Sequence, residues 1–273
     1  MSNNQSILLF ALLFVTPQLL AQTVTGNIIN KSTRFPVAYV NIGVLGKNLG
    51  TVGNDQGKFT LNINSTYAKD TLLFSCIGYA PVSIKISDLL SGNQLVEMQE
   101  TQYELDEVVV KPVQFTEKTL GITSTAKYLQ AGFSENKLGY ELGVLIKNKK
   151  SAFIKWICIN IAKCTYDTIF YRLNVYTDNG DHEFENILKQ PIYINIPKLQ
   201  IQETVYIDLS SKNIVTPGNF LITLEHVKDL GEGELMFCCA LGKRTYYRKT
   251  SQDLWTSEGA AGVSISVIAD VEK

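Results

Sequence analysis

Apolar and polar residues alternate with period two through most of the chain after residue 22. Residues 23–29 (TVTGNII), 37–44 (VAYVNIGV), 58–63 (KFTLNI), 71–75 (TLLFS), 82–86 (VSIKI) and 94–98 (QLVEM) each read this way. Turn-forming clusters separate them at 30–33, 53–57, 64–70 and 78–81. Period two puts Val, Ile, Leu and Phe on one face of a strand and polar side chains on the other. About six or seven short strands, with a turn every ~8–12 residues, predict a β-sandwich or barrel.

The pattern returns in the second half. Residues 140–147, 152–162 (AFIKWICINIA), 168–177 (TIFYRLNVYT), 192–196, 203–209, 219–226, 234–241 and 263–268 all read as strands. About eight antiparallel strands suit a second, jelly-roll-like sandwich. Helical periodicity is confined to one turn at 87–90. Between the halves, ETQYELDEVVVKPV (100–113) and a mixed polar stretch punctuated by Gly121, Gly132 and Gly139 predict a linker with an edge strand. The chain is therefore expected to be all-β: an export signal at 1–21, a sandwich at 22–100, a linker at 101–139 and a second sandwich at 140–273.

Composition narrows the function classes. The 273 residues hold 25 Lys and Arg against 26 Asp and Glu, a formal charge of −1. That balance argues against nucleic acid, which needs many phosphate-neutralising cations. The start, ILLFALLFV (7–15) followed by Pro17 and Ala21, reads as a cleaved signal peptide although it carries no Lys or Arg. No later run is apolar enough to span a membrane, so a periplasmic, outer-membrane-associated or cell-surface protein without a transmembrane span is expected. The five cysteines (76, 158, 164, 238 and 239) form no CxxC pair. An oxidising compartment would permit a Cys158–Cys164 disulfide, and buried free thiols are the expected state of most.

Several blocks resemble a known family. Val24-Thr25-Gly26 opens the first unit, and Pro36-Val37-Ala38-Tyr39-Val40-Asn41-Ile42 follows. Then come Gly50-Thr51 with Asp55, Gly57 and Phe59, next Leu72, Phe74-Ser75 and Ile77-Gly78-Tyr79, and finally Leu105-Asp106-Glu107-Val108-Val109-Val110. In this order and spacing they resemble the carboxypeptidase-regulatory-like domain common in exported proteins of Bacteroidetes-type bacteria. Gly53 departs from the family, which often has Thr there. The resemblance covers about residues 22–112 and implies a seven-stranded, transthyretin-like sandwich without catalytic residues. The same domain often precedes TonB-dependent receptor plugs. About 160 residues remain after the junction, too few for a plug and a 22-stranded barrel. Blocks around Arg172-x-Asn174-Val175-Tyr176 and Val205-x-Ile207-Asp208-Leu209-Ser210 weakly resemble sandwich regions that accompany the domain.

Candidate chemistry is sparse. His182 and His226 are the two histidines, and neither has the spacing of a zinc peptidase. No GxSxG or GxxxxGK[ST] occurs. GTVGNDQGKFTL (50–61) holds only a fragment of a calcium loop. It reads as a turn in which Gly53 and Gly57 take positive φ, Asn54 and Asp55 cap with their side chains, and Phe59 and Leu61 enter the core. The loop at 177–183, with Asp178 and Asp181, is either a calcium site at a sandwich edge or a solvated hairpin. Trp255, Tyr246, Tyr247 and Arg248 form a glycan-contacting surface, or else Trp255 is packing and residues 246–249 are a solvated edge that discourages strand pairing; Trp156 reads as core. Scattered carboxylates at Asp167, Asp178, Asp181, Asp208 and Glu225 would serve a hydrolase if two stood ~5–10 Å apart. The leading expectation is an exported, non-catalytic binding or scaffolding protein of the cell envelope, without a cofactor. Its partner would be another envelope protein or a glycan.

Overall fold

The computed structural model describes residues 21–90, 92–101 and 114–273. The export signal, all but Ala21, and the Leu105–Val110 block lie outside them. The described residues are almost all β.

Seven strands build the first module: β1 (Ala21–Asn30), β2 (Asn41–Gly43), β3 (Gly50–Val52), β4 (Lys58–Asn64), β5 (Thr71–Ser75), β6 (Val82–Lys85) and β7 (Gln94–Met98). They form a three-stranded sheet, β4-β1-β7, and a four-stranded sheet, β3-β2-β5-β6. β1 runs antiparallel to β4 and parallel to β7. Alternation decides what is buried: Phe59, Leu61 and Ile63 of β4 point inward while Lys58, Thr60 and Asn62 stay in water. Val24, Ile28 and Val96 join them from the same sheet and meet Ile42, Leu72 and Phe74 from the other. Phe59 and Phe74 pack edge to face across the gap, 5.5 Å between ring centres. Each buried ring or branched chain of this kind contributes about 1.5–3 kcal/mol. One turn of helix, α1 (Ile86–Leu89), closes an end of the core with Ile86 and Leu89.

The 50–61 stretch is a turn, with two differences from the sequence reading. Gly57 has φ +70, and a Cβ there would sit 2.4 Å from the Ile28 carbonyl oxygen, but Gly53 is not in the left-handed region. The cap is Asn54 alone: its Oδ1 accepts from the Gln56 and Lys58 amides at 3.0 and 2.9 Å. Asp55 is exposed.

The second module follows as β8 (Phe115–Gly121), β9 (Gln130–Phe133), β10 (Glu141–Ile146), β11 (Ala152–Cys164), β12 (Thr168–Asp178), β13 (Phe184–Asn186), β14 (Ile192–Pro197), β15 (Thr204–Asp208), β16 (Val215–Thr216), β17 (Phe220–Glu225), β18 (Leu235–Leu241), β19 (Thr245–Arg248), β20 (Thr256–Glu258), β21 (Ala261–Val263) and β22 (Ile265–Glu272). One sheet runs β13-β12-β17-β10-β19-β20, with β14 beside β12. The other runs β21-β18-β11-β22-β8, with β15 and β16 beside β11 and β9 beside β18. The module starts before residue 140. β8 pairs along β22 as an edge strand and β9 pairs with β18, so Phe115–Gly121 and Gln130–Phe133 belong to the second module's sheet. Their sparse apolar content hid them, because β8 is exposed along most of its length.

Leu142, Leu173, Val175, Ile222 and Leu224 of the first sheet face Ile154, Ile157, Val267 and Ala269 of the second. A bulge between Ile154 and Trp156 shifts the alternation of β11, so Ile157 and Ile159 continue the core. Trp156 is thereby turned out of the core and half-buried, contrary to its sequence reading. The five cysteines are unpaired. Six residues of extended strand place Cys158 and Cys164 roughly 20 Å apart, far beyond disulfide reach.

Candidate functional site at the module boundary

β12, β17, β10 and β19 each have a second face, opposite the core. Strand register aligns one residue from each strand on it: Arg172 faces Glu225, Glu225 faces Glu141, and Glu141 faces Arg248. A row of two carboxylates between two guanidiniums results. On a free sheet face it would be solvated; here Arg172, Glu225 and Glu141 are buried. The first module and the segment after β19 cover it.

Two like charges side by side on a sheet destabilise it; here donors surround them. Glu225 Oε2 accepts from Arg172 Nε and Nη2 at 3.1 and 2.6 Å and from Asn174 Nδ2 at 3.0 Å. Glu141 Oε1 accepts from Asn174 Nδ2 and the Tyr176 hydroxyl, both at 2.8 Å, and from the Thr223 hydroxyl. Glu141 Oε2 accepts from Arg248 Nε at 2.7 Å. Burial alone would raise the Glu225 carboxyl, but Arg172 and Arg248 outweigh it and hold the pKa below the ordinary value. Burial, with Glu141 adding to it, pushes the Tyr176 phenol far up, so it remains a donor.

The first module completes the row. Arg172 Nη1 donates to the Tyr39 carbonyl at 2.8 Å, and Nη2 donates to Asn41 Oδ1. Tyr39 reaches this position by leaving the strand predicted over 37–44. Its φ is +55, uncommon for a bulky residue, and the strand begins only at Asn41. The Tyr39 ring is clamped between Phe170 and Tyr193 of the second module, at 5.2 and 5.1 Å. The segment after β19 docks on the other side. Ser251 crosses Gly43 and Gly50, where an added Cβ would lie 2.3 and 2.6 Å from its carbonyl oxygen. Gln252 Nε2 donates to Ser75 Oγ at 2.7 Å.

A cleft of about 310 Å³ opens beside the row. Asn41, Ser75 and Tyr79 of the first module line one side. Asn186, Phe184 and Gln252 of the second line the other, with Arg172, Glu225 and Arg248 at the floor.

The sequence-predicted site residues are only partly brought together. Trp255 is half-buried, meeting Tyr176 and Phe184 edge on at 5.6 and 5.5 Å, with the Arg248 guanidinium 5.2 Å from its ring centre. Tyr246 lies on the same face against His182 and Phe184. Tyr247 points the opposite way, packs on the core and donates to Glu258 at 3.2 Å. Asp178 accepts from the Gly180 amide at 3.1 Å and from Asn219 at 3.3 Å, as in a hydrogen-bonded hairpin. Asp181 is exposed at its tip with φ +49. Among the described residues no three His, Cys, Asp or Glu side chains gather as a metal set. Of the scattered carboxylates, Asp167 and Asp208 are exposed and only Glu225 is buried. Glu141, Asn41 and the Tyr39 carbonyl escaped sequence reasoning. Their one signal is polar residues recurring at strand positions whose neighbours are apolar.

Residues 24–110 match the model of the CarboxypepD_reg-like domain family, so the first module is a domain of that family. No curated protein matches the chain. Among solved structures, one described as "Structure of infectious bursal disease virus Gx strain" aligns at 11% identity and a TM-score of 0.14. The alignment covers 93% of this chain and 66% of that one, and at that score it bears on neither fold nor function.

Proposed function

We propose that this is an exported binding or scaffolding protein of the bacterial cell envelope, working without catalysis, with its two sandwiches joined as one body. The observation that carries the reading is the completion of the buried Arg172–Glu225–Glu141–Arg248 row by Tyr39 and Asn41 of the other module. Arg172 is the joint: Glu225, whose carboxyl is held below its ordinary pKa, fixes the guanidinium that reaches the Tyr39 and Asn41 oxygens, which suits an anchor rather than a proton carrier. A fixed tandem of sandwiches presents loops and strand edges from both modules in one orientation, which suits recognition of an extended partner. The signal-like start and the family of the first module support the envelope location.

Expression of the full chain in a bacterial host, followed by fractionation, N-terminal sequencing and amine-reactive cross-linking, tests the reading. The expected product begins after Ala21, is found in the envelope fraction and cross-links to an envelope component. A cytosolic product that retains Met1 would overturn it.

A further inference from the structure

The row leaves one hydrogen-bonding position open. Glu225 Oε2 accepts three donors, but Glu225 Oε1 is buried with no hydrogen-bond partner. Arg248 Nη2 stands 3.7 Å away, beyond hydrogen-bond distance. Both side chains line the floor of the cleft between the modules. A buried ionised oxygen without a donor is costly, and an unmatched group of this kind needs an explanation.

We propose that this cleft binds a neutral saccharide, with a sugar hydroxyl seated between Glu225 Oε1 and Arg248. The inference rests on the binding reading above and names a ligand class for it. Three features select that class. A hydroxyl both donates and accepts from one oxygen, so it can donate to Oε1 and accept from the guanidinium; an amide N–H can only donate. Glu225 in the floor and Glu141 behind it, paired with Arg248 at 2.6 Å, together balance the two guanidiniums, so little net charge is offered to a charged ligand. The walls combine amides and a hydroxyl, from Asn41, Asn186, Gln252 and Ser75, with the rings of Tyr79 and Phe184. Fixed polar groups beside aromatic faces match a molecule with a hydroxylated rim and C–H faces. Trp255 and Tyr246 do not line this cleft; both pack edge-on against Phe184.

Titration calorimetry of the mature full chain with cellobiose, maltose and lactose tests this, with galacturonate and glucosamine as charged counterparts. At least one neutral disaccharide should bind saturably and at least tenfold more tightly than either charged sugar. Tyr79→Ala and Asn186→Ala, both on the rim, should weaken it at least fivefold, while the far-surface Leu199→Ala changes nothing. Circular dichroism confirms that each variant is folded. Absence of saturable binding to any neutral disaccharide by the folded chain would overturn the inference and mean that water alone fills the position. Binding unaffected by both rim variants would overturn it as well. Either result, obtained with a processed chain that still cross-links in the envelope, removes the sugar and leaves the binding reading standing. A cytosolic chain retaining Met1 removes that reading independently of the titrations.

Discussion

Glu225 and His226 are consecutive, both fully buried, and opposite in outcome. Glu225 ends β17 on the outer face, where donors converge on it, and it stays ionised. His226 points to the core face among the rings of Tyr171, Phe133 and Tyr166, 5.2–6.5 Å between centres. No side chain hydrogen-bonds its ring nitrogens, and burial outweighs the Lys228 backbone and Asp229, which favour the charged form. Burial therefore lowers its pKa and keeps it neutral. Depth alone does not decide whether a titratable group keeps its charge; the partners that strand register brings to it do. Register within the second module supplies those partners, and the first module covers them by meeting Arg172 with the Tyr39 and Asn41 oxygens.

The largest effect should come from breaking the partnered side. Arg172→Met leaves Glu225 buried beside one distant guanidinium and strands the Tyr39 carbonyl. Removing one member of a buried pair costs about 3–5 kcal/mol. Urea unfolding at pH 7 should show that loss, and Arg172→Met combined with Glu225→Leu should recover much of it, since no charge then remains unpaired. A loss under about 1 kcal/mol for the single variant would contradict the tight coupling drawn for the row.

A steric variant tests the module contact without altering charge. In Gly43→Ala the new methyl would meet the Ser251 carbonyl oxygen at 2.3 Å and the Leu49 carbonyl oxygen at 3.0 Å, both backbone. The chain cannot yield locally, so the docked segment must shift, at about 1–3 kcal/mol. Gly218→Ala, where the nearest atom is the Asn148 oxygen at 3.7 Å, should stay within about 0.5 kcal/mol. Thermal unfolding gives both values. Faster hydrogen exchange at 250–252 in the Gly43 variant alone would locate the opening, and equal exchange in the two variants would argue against a docked segment.

How far the sequence reads correctly follows from the same contrast. Alternation located β4, β5, β7 and most of β12, because one face of each meets a core and the other water. For β12 it gives one apolar and one polar face. Arg172, Asn174 and Tyr176 occupy every second position, as they would on any exposed face, and nothing local distinguishes a face that another module covers. The strand over 37–44 failed for a related reason: its alternation is intact, but long-range contacts hold Tyr39 left-handed. The bulge in β11 left no mark in the sequence: Lys155 separates buried Ile154 from Trp156, so plain alternation carries Trp156 onto the core face. The carboxylate row needed register, which pairs residue 141 with 225 and with 248 and which no local pattern encodes.

Acid should separate the neighbours at an intermediate magnitude. His226 has a folded pKa below its ordinary 6.5. Above that value it is neutral in both states; below it the unfolded chain takes up a proton that the folded chain refuses. Stability therefore falls as pH drops from about 6.5, by no more than ~1.4 kcal/mol per unit, and the loss levels off below the folded pKa. Glu225 is held below 4.5, so its contribution is present above 4.5 and is lost as pH falls through the folded value. His226→Phe, which suits the aromatic surroundings, should flatten the stability curve between pH 6.5 and 4.5 and leave the lower limb in place. Urea midpoints taken from pH 7 to 4 measure it, and an unchanged slope between 6.5 and 4.5 would assign the acid sensitivity to other groups.

The smallest effect repeats the contrast between partnered and unpartnered groups at the surface. Asn54 Oδ1 holds two backbone amides, whereas Asp55 beside it is exposed and outside the cap. Asn54→Ala should lose about 1 kcal/mol, the usual worth of such a cap, and Asp55→Ala no more than about 0.5 kcal/mol. The turn also reaches the module boundary. The Tyr39 amide donates to the Asn54 carbonyl at 3.3 Å, so the turn helps to keep Tyr39 left-handed with its own carbonyl aimed at Arg172. If that chain of contacts carries energy, Asn54→Ala should cost less once Arg172→Met has already emptied the Tyr39 acceptor. A coupling of about 0.5 kcal/mol or more in the double-mutant cycle is the expected result. Strict additivity would confine the turn to its own module and leave Tyr39 to be held by Phe170 and Tyr193 alone.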